Sequence, residues 1–421
     1  MFSRFFGPKT QVVACLFVVC CSFANSTEGY FSVGWGTKQK GLVGAGVAMP
    51  LDSLIVSTNP AGLAFLNRRW DAGLELFSPM RGYSATAPTG PGGFMPGRVS
   101  SNLENFPIPE FGVNWTQPDG SAFGLAVYGN GGMNTSYPAS ANGGYGVFGA
   151  GVAGVNLSQL FVSGTYARKV APGASVGVSA IYARQYFEAS GLANFAAYVP
   201  HSAPYNLSNN GEDTSEGFGV RVGLQAEVTP QLTLGAAYQP KIKMSRFHRY
   251  SDLFADHGNF DIPESYTAGL AYKLSENDTV VADVRQINYS GVPSVGNPFS
   301  NMPNGLGSKN GPGFGWRDMT IYKLGYQKVL NDQWTARCGV SYGRQPIPSS
   351  EILFNVLAPG VQEWHFTLGA SKKVGENGEF NAVIVYSPDK KVRGINPNDP
   401  GQVITLHMHQ FNAEIGFSKK F

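Results

Sequence analysis

The chain has 421 residues and a formal net charge of +3, with no lysine- or arginine-rich block and no acidic tail. Only 14% of it is charged, while 43% is hydrophobic and 54 residues are glycine. Such a chain lacks the dense basic face that nucleic-acid binding requires, and it is too apolar to remain disordered.

The first segment reads as an export signal. Arg4 and Lys9 form a positive start, residues 12–23 an apolar run, and Ser22-Phe23-Ala24 a small-residue cleavage site. Residues 1–24 are expected to be removed, leaving Asn25 as the mature start. The apolar run is about a dozen residues, short of the about 20 a spanning helix needs. Cys15, Cys20 and Cys21 leave with the signal, so Cys338 stands alone and no disulfide framework is possible.

Residues 25–69 are not strand-like. Their glycines (Gly29, Gly34, Gly36, Gly41, Gly44, Gly46) and the apolar stretch 51–66 suit a compact insert with a short helix or two. From Trp70 onward, period-two alternation recurs, the signature of two-faced strands. In the last segment Phe411, Ala413, Ile415, Phe417 and Phe421 share one face, and Asn412, Glu414, Gly416, Ser418 and Lys420 the other. Aromatics at the ends of the apolar stripe and aliphatics in its middle fit strands that cross a bilayer between two aromatic girdles.

Fourteen such segments begin near Trp70, Pro109, Ser121, Val155, Gly173, Thr214, Gln231, Glu264, Asp278, Arg317, Gln333, Val361, Gly378 and His407. Long connections (79–108, 130–154, 189–213, 245–263, 290–316, 345–360, 389–406) alternate with short turns such as Gln117-Pro118-Asp119-Gly120 and Asn331-Asp332. This asymmetry predicts an all-β membrane protein, a 14-stranded antiparallel transmembrane β-barrel over residues 70–421 with long extracellular loops. A lumen of that width exceeds what the wall's own side chains fill, so residues 25–69 are expected to lie inside it as a plug, or hatch. Localisation follows: the outer membrane of a Gram-negative bacterium, in contact with its lipid. The last strand, ending at Phe421, is the expected handle for the barrel-assembly machinery, and a monomer is expected.

Specific motifs sharpen this reading. Gly44-Ala45-Gly46-Val47-Ala48, Asp52 and Ser57-Thr58-Asn59-Pro60-Ala61-Gly62-Leu63 resemble the plug signature of the FadL/TodX family of outer-membrane transporters for long-chain fatty acids and hydrophobic compounds. Gly191-Leu192-Ala193-Asn194-Phe195-Ala196, Pro263-Glu264-Ser265-Tyr266 and Trp316-Arg317-Asp318 are similar to further family stretches. The resemblance implies capture of a hydrophobic ligand on extracellular loops, transfer to a lumen pocket and sideways exit through a gap near a kinked third strand. It also implies a function without cofactor or metal.

Candidate residues follow. Leu192, Phe195, Tyr198 and Val199 are an apolar cluster on a loop expected to face water, which suggests ligand capture. Asn59, Pro60 and Ala61 match the family's hatch motif; the alternative is a proline that merely starts a helix. Gly129, Asn130, Gly131 and Gly132 close the third strand where the family has a Pro-Phe-Gly element, and glycines there weaken pairing. Arg221, Arg285, Lys323, Arg337 and His365 fall on the lumen face as head-group candidates, or else pair with Asp283, Glu227 and Asp318. Gly339-Val340-Ser341-Tyr342-Gly343 matches GxSxG inside a strand, and residues 149–154 match GxGxxG without a βαβ context; neither supports an enzyme. His407 and His409 share a face without a third ligand. Cargo is left between fatty acids and small aromatic hydrocarbons, with a structural or adhesive barrel as the further alternative.

Overall fold

The computed structural model describes residues 28–149 and 151–421, so the expected signal lies outside the described residues. Fifteen strands form one antiparallel sheet: β1 (Arg69–Ala85), β2 (Gly97–Ser100), β3 (Phe106–Thr116), β4 (Ser121–Asn134), β5 (Gly154–Ala171), β6 (Ala174–Ser190), β7 (Asp213–Glu227) and β8 (Leu232–Gln239), then β9 (Ser265–Lys273), β10 (Asp278–Ile287), β11 (Met319–Val329), β12 (Trp334–Gly343), β13 (Trp364–Val374), β14 (Gly378–Asn396) and β15 (Asp399–Lys420). β15 pairs back onto β1 from Arg69↔Lys420 to Ala85↔Ile404 with no register shift, which closes the barrel. β2 is a short strip paired to the top of β1 above β3, so the wall itself has fourteen strands. Closure satisfies backbone groups that hydrocarbon could not.

Alternation sets the two faces. On β11, Ile321 and Lys323 are buried toward the lumen, while Tyr322 and Leu324 point outward. The outward stripe carries Tyr322, Tyr342 and Trp364 at the extracellular end and Trp334 and Phe380 at the periplasmic end, with Leu324 and Leu368 between. Cys338 is exposed on this outer face.

Several strand limits differ from the sequence expectation. β1 runs on to Ala85, β4 to Asn134, and β3 begins at Phe106. The connection expected at 389–406 is instead a tall hairpin, because β14 continues to Asn396 and β15 starts at Asp399. Ser387-Pro388-Asp389 looks like a turn but is a bulge, with the register resuming at Lys390↔Met408; a bulge adds residues without ending the ladder.

Residues 28–68 occupy the lumen and are almost wholly buried. They hold one α-helical turn (Thr37–Lys40) and two 3₁₀ turns (Ser53–Ser57 and Pro60–Phe65). Asp52 caps the first 3₁₀ turn, accepting from the Leu54 N–H at 3.1 Å. Charges tie the insert to the wall: Lys40 Nζ lies 2.7 Å from Glu75 and 3.4 Å from Glu110 and also bonds Glu414, across the seam of β1, β3 and β15. Lys38 pairs with Glu379 of β14.

Candidate functional site

The extracellular loops fold over the barrel mouth and line an apolar pocket. Leu192 and Phe195 line it, with Phe187, Phe254, Phe314 and Phe354. The loop cluster expected to face water is therefore largely turned inward: Leu192, Phe195 and Val199 are buried, and Phe195 packs on Phe148 and Phe354. Tyr198 stays exposed, and neither it nor Val199 lines the pocket. The difference arises because the 3₁₀ turn Ala193–Tyr198 rolls one side onto the neighbouring loops.

Below, a polar lumen cavity gathers Arg221, Arg285 and Lys323, with Asp283, around Trp35, Ser57 and Thr58. Arg337 and His365 are also buried on the lumen side but do not line it. The pairing expected with Asp283, Glu227 and Asp318 does not form. Glu28 takes that place, its carboxylate 2.8 Å from Arg285 Nη1 and 2.6 Å from Lys323 Nζ. Asp283 instead accepts the Gly46 and Val47 N–H groups of the insert. Arg221 donates to Gln239 (2.6 Å) and the Tyr128 hydroxyl (3.0 Å), Arg337 donates to Gln327 and Ser371, and His365 contacts Ser341.

Asn59 caps the turn Pro60–Phe65, accepting from the Ala61 N–H, while its amide donates to Val47 O (2.7 Å) and to Leu224 O of β7 (3.0 Å). Pro60 does start a helical turn, and Asn59 also ties that turn to the wall. The fit depends on Gly223, where an added Cβ would lie 2.0 Å from Asn59 Oδ1.

The wall is incomplete beside β4. β3 and β4 pair only from Phe111↔Val127 to Thr116↔Ala122. Above that, β4 slips register against β5 between Gly129 and Gly131, and residues 128–134 are buried on both faces. The insert supplies substitute partners: Ser32 N–H donates to Asn130 O (3.1 Å), Gly132 N–H to Tyr30 O (2.9 Å), and the Trp35 indole to Gly129 O (2.7 Å). A Cβ at Gly131 would sit 2.0 Å from Tyr30 O, so only glycine admits this approach.

On the facing strand, sequence marked Pro109 only as a strand start and did not mark Pro107. Both sit in an unbroken β1–β3 ladder, opposite Leu76 and Leu74. A proline has no N–H, so the donor it lacks there is one that would face β4. Two prolines spaced by two residues in a strand were the available signal. Glu28 had none, since its partners lie 257 and 295 positions away.

A family profile described as outer membrane protein transport protein (OMPP1/FadL/TodX) matches residues 34–412. Among curated protein sequences none matches significantly. Among solved structures, the Pseudomonas putida toluene transporter TodX superposes with TM-score 0.67 at 18% identity, covering 92% of this chain and 99% of that one. A Pseudomonas aeruginosa FadL homologue gives 0.70 at 18% (93% and 98%), and the Ralstonia pickettii toluene transporter TbuX 0.64 at 19% (92% and 98%).

Proposed function

Since this chain belongs to the OMPP1/FadL/TodX family of outer membrane transport proteins, we propose that its cargo is a long-chain fatty acid, caught in the loop pocket and released sideways through the wall. Transport of hydrophobic compounds across the outer membrane is the family's activity, and the protein is a transporter rather than an enzyme. The finer reading rests on one observation: Arg285 and Lys323 converge on a single carboxylate, Glu28, beside the lumen cavity. An acyl carboxylate would replace that of Glu28, with charge-assisted bonds in a low-dielectric site, and each buried methylene would add about 0.8 kcal/mol. A neutral hydrocarbon would draw no benefit from two cations.

In this reading Leu192 and Phe195 hold the chain in the loop pocket, and Tyr198 and Val199 support the loop. Asn59-Pro60-Ala61 acts as the hatch that keeps the periplasmic side closed. Gly129, Asn130, Gly131 and Gly132 form the lateral exit, and the protein works as a monomer. The lining of the loop pocket, apolar apart from Ser294, favours a second reading, a channel for small aromatic hydrocarbons. Displacement of a fluorescent fatty acid from the purified, detergent-folded protein separates the two. Saturable displacement by oleate is expected; displacement by toluene alone would overturn fatty acid as the cargo.

A further inference from the structure

Between the loop pocket and the gap in the wall lies a smaller cavity that no sequence candidate marks. Phe77 and Arg81 of β1, Met133 and Asn134 of β4, Met408 of β15 and Trp316 enclose it. Its β4 lining residues, Met133 and Asn134, belong to the stretch of β4 that no longer pairs with β3.

The same two segments separate it from the loop pocket. Phe314 and Leu357 line the pocket above, Trp316 and Ala358 the cavity below. The partition is held by Asn355, which accepts from the Trp316 indole (2.6 Å) and donates to Phe314 O (2.7 Å). Cargo passing from the pocket to the wall gap by the short route crosses this partition and meets Arg81.

Arg81 is an unusual occupant of such a place. Its residue is 6% exposed, and among the described residues no carboxylate pairs with it. Glu104 acts on it through space without an ion pair. Its guanidinium donates to backbone carbonyls, Nε and Nη2 to Asn134 O and Nη1 to Pro79 O (3.3 Å), and lies 5.6 Å from the centre of the Phe106 ring. Five N–H groups are available and three are used. Arg285, Lys323 and Lys40 all have carboxylates, and Arg221 and Arg337 have amides and hydroxyls. A buried cation without a counter-charge is costly, and the two N–H groups left over are what a carboxylate would take.

We propose that Arg81 is a carboxylate-binding subsite at the threshold of the wall gap, which receives the head group of an acidic cargo while its chain lies against Phe77, Met133, Met408 and Trp316. This rests on the fatty-acid reading above and adds to it a residue that selects acids over neutral molecules at exit.

The test compares oleate with oleyl alcohol, which has the same chain and no charge, on folded wild type, Arg81→Gln and Arg81→Lys, with folding checked by heat-modifiable mobility. Wild type is expected to favour oleate by roughly tenfold or more. Arg81→Gln should reduce that preference several-fold with oleyl alcohol unchanged, the remainder being owed to Arg285 and Lys323, and Arg81→Lys should keep more of it. Equal weakening of both ligands in Arg81→Gln would make Arg81 a structural pin on Asn134 and overturn the proposal, as would an unaltered preference. Wild-type binding of toluene without oleate would overturn the fatty-acid reading and this subsite with it.

Discussion

Asp52 caps a plug turn with a carboxyl that burial, and then the neighbouring Asp71, push up to about 7. An unfolded aspartate titrates near 3.9, so between those values the folded plug holds a proton that the unfolded chain has lost. Its contribution is full at low pH and fades as pH rises through about 7. Amide exchange across residues 53–66 should accelerate over that interval, and Asp52→Asn, which retains the cap, should flatten the dependence. Lys40 behaves differently: burial alone would lower its ammonium, but Glu110, Glu414 and Glu75 raise it well above the usual lysine value, so the seam anchor keeps its charge. Glu28 is the second residue-scale handle. Glu28→Gln removes the carboxylate from Arg285 and Lys323, and oleate affinity in the displacement assay should rise roughly tenfold. An unchanged affinity would mean the lumen cations do not meet the head group.

At the scale of elements, the opening beside β4 is written on both strands. The glycines of 129–132 permit the bulge, and Pro107 and Pro109 withhold donors from the other side. Pro107→Val with Pro109→Val should restore two donors, each hydrogen bond being worth about 1 kcal/mol, and zip β3 to β4. Uptake of fatty acid into liposomes carrying the doubly substituted barrel should fall roughly tenfold, while its resistance to denaturant should hold or increase. The wall was legible because alternation and turn chemistry are local: Phe411 to Phe421 and Asn331-Asp332 declare themselves within a few residues. Lumen facing of Arg221, Arg285, Lys323, Arg337 and His365 was legible for the same reason. Which of them share a cavity was not, because that depends on where the plug lies. Nor was the inward roll of Leu192 and Phe195, which is decided by packing against distant Phe148 and Phe354. The bulge at Ser387 hid the upper hairpin by imitating a turn.

For the molecule as a whole, plug and wall share one set of backbone hydrogen bonds. Tyr30 and Ser32 complete β4 where β3 does not reach it, so withdrawing the plug bares a strand edge at membrane depth. Unsatisfied groups in hydrocarbon cost several kcal/mol each, and the remedy closest to hand is the same edge on another copy. A chain lacking residues 28–36 should therefore not yield an emptied, solitary pore. It should yield pairs of barrels joined edge to edge, visible as a doubled mass in sedimentation of the detergent-folded protein. The segment that blocks the lumen is, on this view, also what keeps each barrel apart from its neighbours.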